Sequence, residues 1–369
     1  MKFYFSLFAF IFLNSFFISC QEKEKEVITS TSYIVSEKSK KPKNIILLIG
    51  DGMGLSEISA SQFYNKEKTN FERFPVIGLI KTSSSSDVIT DSAAGATAFS
   101  AGIKTYNGAI GVDKDSLSVE TIVEQISKKN IASGVVSTSS ITHATPASFY
   151  AHSKMRRMHE DIATDMVASD IEFFAGGGLD FFKNRKDQID LIAQLKNKGF
   201  DIITDKLPTT ASNKKQAILL AGNAMPKMLD GRGDFLPNAT KLALETLSKN
   251  EEGFFLMVEG SQIDWGGHDN DADYLISELI DFDKTIGVAL EFAKQNGETL
   301  VIVTADHETG GFTLASDNND YNKIKPVFST NGHSATMVPV FAKGPSEAIF
   351  GGIYENTAIY TKMYSLFLD

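Results

Sequence analysis

Cysteine is almost missing from this chain of 369 residues: Cys20 is the only one, so no disulfide can form within it. Tryptophan is as scarce, with Trp265 alone, and arginine is confined to Arg73, Arg156, Arg157, Arg185 and Arg232. Acidic residues outnumber basic ones by 46 to 36, which disfavours binding of nucleic acid or anionic lipid through a basic face. Any phosphate chemistry must therefore rely on local positive charge. Internal repeats are also absent, and no break in composition divides residues 42 to 369. What is present is ordinary for a large folded core: 42% hydrophobic and 22% charged residues.

The N-terminus stands apart. Residues 1–19 hold one basic residue, Lys2, and then a Phe-rich apolar stretch ending in Phe17-Ile18-Ser19-Cys20, which reads as a secretory signal too short to span a membrane stably. The setting of Cys20 resembles the lipobox of bacterial lipoproteins and implies an acylated first residue; the alternative is cleavage near Ser19 with an incidental thiol. Residues 20–43 are charged and Ser-rich without apolar periodicity, a flexible tether holding the domain 44–369 off a membrane. Lys2 is the only charge before Cys20, so removing its +1 takes the net charge from −10 to −11. The expectation is an exported protein, periplasmic or at the cell surface, anchored at the outer membrane through lipid on Cys20 alone.

Within the domain, Asn44 to Gly50, Ile131 to Thr138, Phe254 to Val258 and Thr299 to Thr304 are continuous apolar runs of the kind buried on both faces of a parallel sheet, and Met337 to Ala342 adds another apolar stretch. Helical patterning lies between them, around Val119 to Ser127 among other places, so the fold class is α/β: a three-layer α/β/α sandwich on a mostly parallel sheet. The polar stretch from Asp201 to Asn238 reads as an excursion at the sheet edge.

The chemistry gathers where these runs stop. Asp51 follows one strand, His143 and Thr145 a second, Glu259, Asp264 and His268 a third, Asp306 and His307 a fourth, and His333 lies in a Gly-containing loop. Open α/β sheets place their sites past the carboxyl ends of their strands. Singly, each of these residues is as well explained as a helix cap or a surface imidazole. Jointly, so many carboxylates would repel one another without a cation, and a multi-metal site is the economical reading. Imidazole with carboxylate suits zinc, and an all-oxygen set suits magnesium. Ser92 opens an Ala-rich helix whose N-terminus would stabilise an alkoxide and a bound phosphate; from this segment alone, Asp91 or Ser92 is equally an N-cap. His152 and His159 lie outside the ligand motifs and read as structural or solvent-facing.

Asp51-Gly52-Met53-Gly54, TDSAAGATAFSAGIKTYNGAIGV from Thr90, HATPASFYAH from His143, VEGSQIDWGGH from Val258, TADHETGG from Thr304 and NGHSA from Asn331 together resemble the alkaline phosphatase family, in order. The resemblance implies a first zinc on Asp264, His268 and His333 and a second on Asp306, His307 and Asp51. It also implies a magnesium-like site on Asp51, Thr145 and Glu259. Ser92 would be the nucleophile, Arg156 the phosphate-binding arginine, chosen over Arg157 by spacing, and Asp91 its orienting partner. A guanidinium grips two phosphate oxygens through paired N–H groups, which an ammonium cannot. The implied activity is hydrolysis of phosphomonoesters through a phosphoserine on Ser92, with broad substrate range, two zinc ions and one magnesium, and no organic cofactor. A homodimer is implied as well, although the stretch between His307 and His333 is too short for the crown-like insertion of animal relatives. His143 and Trp265 occupy two substrate-side positions at which members differ, and the pair resembles a bacterial subgroup that includes cold-active enzymes. His143 would reach the third ion directly or through water, and Trp265 would pack at the rim. The rivals are a phosphodiesterase or nucleotide pyrophosphatase of the same superfamily, and a non-catalytic phosphate-binding lipoprotein.

Overall fold

The seven residues Asn44–Gly50 carry no charge and are all buried, which a strand achieves only when both its faces are covered. The computed structural model describes residues 41–368; the expected signal segment, Cys20, the expected tether up to residue 40, and Asp369 lie outside the described residues. In chain order the strands are β1 (Asn44–Gly50), β2 (Val76–Lys81), β3 (Ala132–Ser140), β4 (Phe173–Gly177), β5 (Phe200–Ile203), β6 (Lys215–Leu219) and β7 (Phe254–Gly260). They continue with β8 (Thr299–Thr304), β9 (Glu308–Thr309), β10 (Thr313–Asp317), β11 (Asp320–Val327), β12 (His333–Ser334), β13 (Val338–Lys343) and β14 (Gly352–Glu355). Ten of them form one sheet in the order β14-β2-β13-β8-β1-β7-β3-β4-β6-β5. Only β13 runs against its neighbours β2 and β8. Helices surround this sheet, among them Leu55–Tyr64, Phe235–Leu247 and the 25-residue Ala272–Asn296, so the expected mostly parallel α/β/α architecture is what the chain adopts.

Register is what positions the site. Ile49 of β1 pairs with Glu259 of β7 on one side and Thr304 of β8 on the other, so three adjacent strands end at one level. On the far side of β7, Ser137 of β3 lies opposite Glu259. The long helix Ala272–Asn296 is capped by the Asp271 carboxylate, which accepts from Tyr274 N, and stops at Gly297, whose φ of 71° lies in the left-handed region.

Two expectations need correction. The stretch from residue 201 to 238 is more than an excursion, because β5 and β6 bracket its first part and add two parallel strands to the sheet edge. The folded domain begins before residue 44: Pro42 is buried and Lys43 N donates to Glu298 O at 2.8 Å. No helix among the described residues is long and apolar enough to cross a membrane.

Candidate metal centre and nucleophile

Asp51 follows β1 directly and is fully buried; Gly52 then turns the chain with a φ of 73°. No side chain fits at that turn, since a Cβ on Gly52 would lie 2.7 Å from Thr309 Oγ1 and 2.8 Å from Asp264 Cα. Asp264 and His268 share one face of the short helix Gln262–His268 by their i,i+4 spacing, with His268 Nε2 3.3 Å from Asp264 Oδ1. His333 on β12 comes within 3.5 Å of the same oxygen and 3.1 Å of His268 Nε2. Backbone carbonyls orient both rings from behind: His268 Nδ1 donates to Asn331 O at 2.7 Å and His333 Nδ1 to Thr90 O at 2.8 Å. Two Nε2 lone pairs then face each other beside a carboxylate, an arrangement that a cation between them resolves.

Two further groups share Asp51. One is Asp51, Asp306 and His307; the other is Asp51, His143 and Glu259; in each, the candidate ligand atoms lie within 4.8 Å of one another. Thr145 Oγ1 lies 3.5 Å from Asp51 Oδ2 and adds a hydroxyl to the second of these. Asp51 Oδ1, Asp306 Oδ2, Glu259 Oε1 and His143 Nδ1 are buried without a hydrogen-bond partner. Buried polar atoms are rarely left so, and cations at these points would supply the missing partner. The mixed nitrogen and oxygen donors of the Asp264 and Asp306 groups fit zinc, and the oxygen-rich group with Glu259 and Thr145 fits magnesium. Trp265 meets His143 edge to face, ring centres 5.9 Å apart, a packing contact beside the third group.

The charges tell the same story. Burial, then repulsion from Asp306, Asp264 and Glu259, pushes the Asp51 carboxyl well above its ordinary range. Burial and then Asp264 push Asp306 up to about 7. Burial raises Glu259 as well, against hydrogen bonds from Ser137, Ser261, Thr145 and Ser139. Asp264 is the exception: burial opposes its charge, but the His333 hydrogen bond and the charges of His307, His333 and His268 hold it low. His143 is driven down to about 3 by burial and by Arg156, and His307 is lowered by burial and then His333. Carboxyls so crowded ionise only beside a compensating positive charge.

The nucleophile candidate sits at the edge of this cluster. The helix Ser92–Ala101 is built of small residues apart from Phe99 and is buried throughout; at Gly95 a Cβ would already be 3.0 Å from Asp306 Cβ. Asp91 caps it, Oδ1 accepting from Ala94 N at 3.0 Å, while its Oδ2 accepts from Arg156 Nη1 at 2.9 Å. The two readings of this segment are thus compatible: Asp91 is the cap, and Ser92, in the first turn, puts Oγ 3.3 Å from His307 Nε2. Arg156, rather than Arg157, faces the cluster, with Nη2 3.5 Å from His143 Nε2. A helix N-terminus, a guanidinium and a buried hydroxyl on one side of three cation-fitting groups can bind a phosphate and attack it.

Other hydroxyls escaped the sequence reading. Ser137 Oγ donates to Glu259 Oε2 at 2.5 Å, Ser139 Oγ reaches the same oxygen at 3.3 Å, and Ser261 Oγ lies 2.9 Å from Ser137 Oγ. Thr309 Oγ1 lies 2.5 Å from Asp264 Oδ1 and 3.2 Å from His307 Nδ1. The available signal was a strand, β3, that is rich in hydroxyls yet buried at all nine positions. His152 and His159 have structural partners: His152 joins Gly111 O to Glu124 at 2.6 and 3.0 Å, and His159 stacks on Phe181. A cleft of about 540 Å³ near Leu207, Arg232 and Phe235 holds none of the converging residues.

Residues 42–326 match the family model described as alkaline phosphatase. Alkaline phosphatase 3 of Bacillus subtilis is 43% identical over 410 residues, covering 87% of this chain and 88% of that protein. The structure of alkaline phosphatase from the Antarctic bacterium TAB5 aligns with a TM-score of 0.88 at 57% identity, covering 89% of this chain and 98% of that one. A variant of the TAB5 enzyme with aspartate in place of one histidine aligns at 0.87, with 57% identity over 89% and 99% of the two chains, and has magnesium bound in its M3 site.

Proposed function

The chain belongs to the alkaline phosphatase family and is a phosphomonoester hydrolase, and we propose that it works through a phosphoserine on Ser92 with two zinc ions and one magnesium. In this reading Asp264, His268 and His333 hold one zinc, and Asp51, Asp306 and His307 the other. Asp51, Thr145 and Glu259 hold magnesium, with His143 beside it. The ions supply the positive charge that makes a bound hydroxyl or water nucleophilic near neutral pH and that screens charge on the reacting oxygens.

The rest falls to the chain itself. Arg156, held by Asp91 through Nη1, presents its remaining N–H groups to two non-bridging phosphate oxygens. The N-terminus of the helix Ser92–Ala101 directs its dipole at the same charge. Ser92 Oγ gives its proton to water and forms a bond to phosphorus as the ester P–O bond breaks, and the leaving oxygen takes up a proton from water and departs as the alcohol. A water oxygen then bonds to phosphorus, the Ser92 Oγ–P bond breaks, and inorganic phosphate departs. Chemistry confined to the phosphoryl group makes the substrate range broad. Arg156 favours monoesters over the diesters of the rival reading, because a diester lacks the extra charged oxygen.

The observation that carries the reading is the Ser92 hydroxyl, buried at a helix N-terminus and 3.3 Å from His307 Nε2. Ser92→Ala should keep metal and phosphate binding but form no acid-stable phosphoenzyme; undiminished turnover in that variant would remove Ser92 from its role. Rates on aryl monoesters and diesters separate the two activities, and a strong diester preference would refute ours. The apolar leader and Cys20 support an exported, lipid-anchored protein, and the family supports a homodimer; labelling with a fatty acid and light scattering test these.

A further inference from the structure

We propose that Thr309 is a positioning residue that sets the tautomer of His307 and couples two of the ion groups, so that their ions bind interdependently. The inference rests on the two-zinc reading above.

A hydroxyl has one proton to give. Thr309 Oγ1 lies 2.5 Å from Asp264 Oδ1, and an ionised carboxylate only accepts, so the proton points there. A lone pair is left for the second neighbour, His307 Nδ1 at 3.2 Å, which must then carry the imidazole proton. The opposite tautomer would set a bare Nδ1 against an oxygen whose proton is already committed. With Nδ1 protonated, Nε2 offers its lone pair towards Ser92 Oγ at 3.3 Å, Asp51 Oδ1 at 3.4 Å and Asp306 Oδ2 at 3.5 Å. One hydroxyl therefore joins a carboxylate of the first group to an imidazole of the second. Drawing Asp264 towards a cation polarises the hydroxyl and makes it a different acceptor for His307.

The surroundings leave this hydroxyl nowhere else to turn. Thr309 is fully buried, its N–H donates to Gly52 O at 3.1 Å, and it pairs with His333 across β9 and β12. At Gly267 a Cβ would lie 2.8 Å from Thr309 O and 3.0 Å from its methyl carbon. Contacts to Gly52, Asp264, Gly267 and His333 place the residue where the loops bearing all three zinc-binding imidazoles meet.

Valine fills the same space without the hydroxyl, and serine keeps the hydroxyl without the methyl, so Thr309→Val and Thr309→Ser separate bonding from packing. Zinc bound by the full enzyme is titrated against a chelator with the metal counted directly, and the histidine nitrogens are followed by ¹⁵N NMR. Thr309→Val should bind zinc about 10- to 100-fold more weakly, release its two ions in separate steps, and lose the single Nδ1–H form of His307. Thr309→Ser should restore both readouts. Unchanged zinc affinity and release in Thr309→Val, or an equal loss in Thr309→Ser, would overturn the proposal while leaving the proposed function intact. Failure of the unmodified enzyme to bind zinc would overturn both.

Discussion

Stripping the ions should convert a domain whose stability is flat near neutral pH into one that weakens as pH rises. Asp51, Glu259 and Asp306 all have raised values in the fold. A raised carboxyl stabilises fully below its unfolded value, about 4, and loses that contribution as pH climbs through its folded value. For Asp306 that value is about 7. The raised His333 acts in the same direction. Asp264, held low, contributes fully above about pH 4 and is constant in this range. His143 and His307 are lowered, so their contribution is present above an unfolded value of about 6.5 and lost only below it. From about pH 6.5 to about pH 8 Asp306 alone then loses about 1 kcal/mol, and the raised Asp51 and Glu259 act in the same direction. A loss of about 1 kcal/mol lowers Tm by ~2 °C at roughly 2 °C per kcal/mol for a chain of this size, and the other raised groups add to it. Melting chelated and zinc-and-magnesium-loaded protein in parallel measures it, and the gap between them should widen with pH because the ions bind the deprotonated ligands. A chelated protein with Tm unchanged or rising across this window, or a loaded one falling as much, would refute the reasoning.

Arg156→Ala removes charge-assisted bonds worth about 1.5–3 kcal/mol, so kcat/KM on a monoester should fall about 10- to 100-fold while residual diester hydrolysis barely changes; equal losses on both would contradict its assigned role. Arg232→Met tests the frame rather than the site. The Arg232 side chain is 0% exposed and bonds Glu278 and Asp281, so its loss strands two buried carboxylates and should cost about 3–5 kcal/mol in urea unfolding; a cost below about 1 kcal/mol would refute this.

Long apolar runs made β1, β7 and β8 readable, because strands covered on both faces need no alternation to be recognised. Direction is another matter. Val338–Lys343 is as apolar as its parallel neighbours, and nothing in its pattern says that it runs the other way; pairing decides that. β5 and β6 hid within polar surroundings because they are only four and five residues long. The converging carboxylates and imidazoles were legible because such groups have few reasons to cluster at strand ends. Ser137, Ser139, Ser261 and Thr309 were not: a hydroxyl's meaning lies in what it faces, and Ser137 meets Glu259 only through the register of β3 on β7.

The outer strands of the sheet offer a practical opening. Every converging ligand stems from the ends of β1, β3, β7 and β8 or from the short β12, while β4, β5 and β6 supply none. The turn from residue 204 to 214 joins β5 to β6 at the far margin, where Asp205, Asn213 and Lys214 are exposed. A foreign peptide or small reporter module spliced there would ride on a catalytic body whose working parts never meet it, making that margin the natural graft point for turning the protein into a sensor.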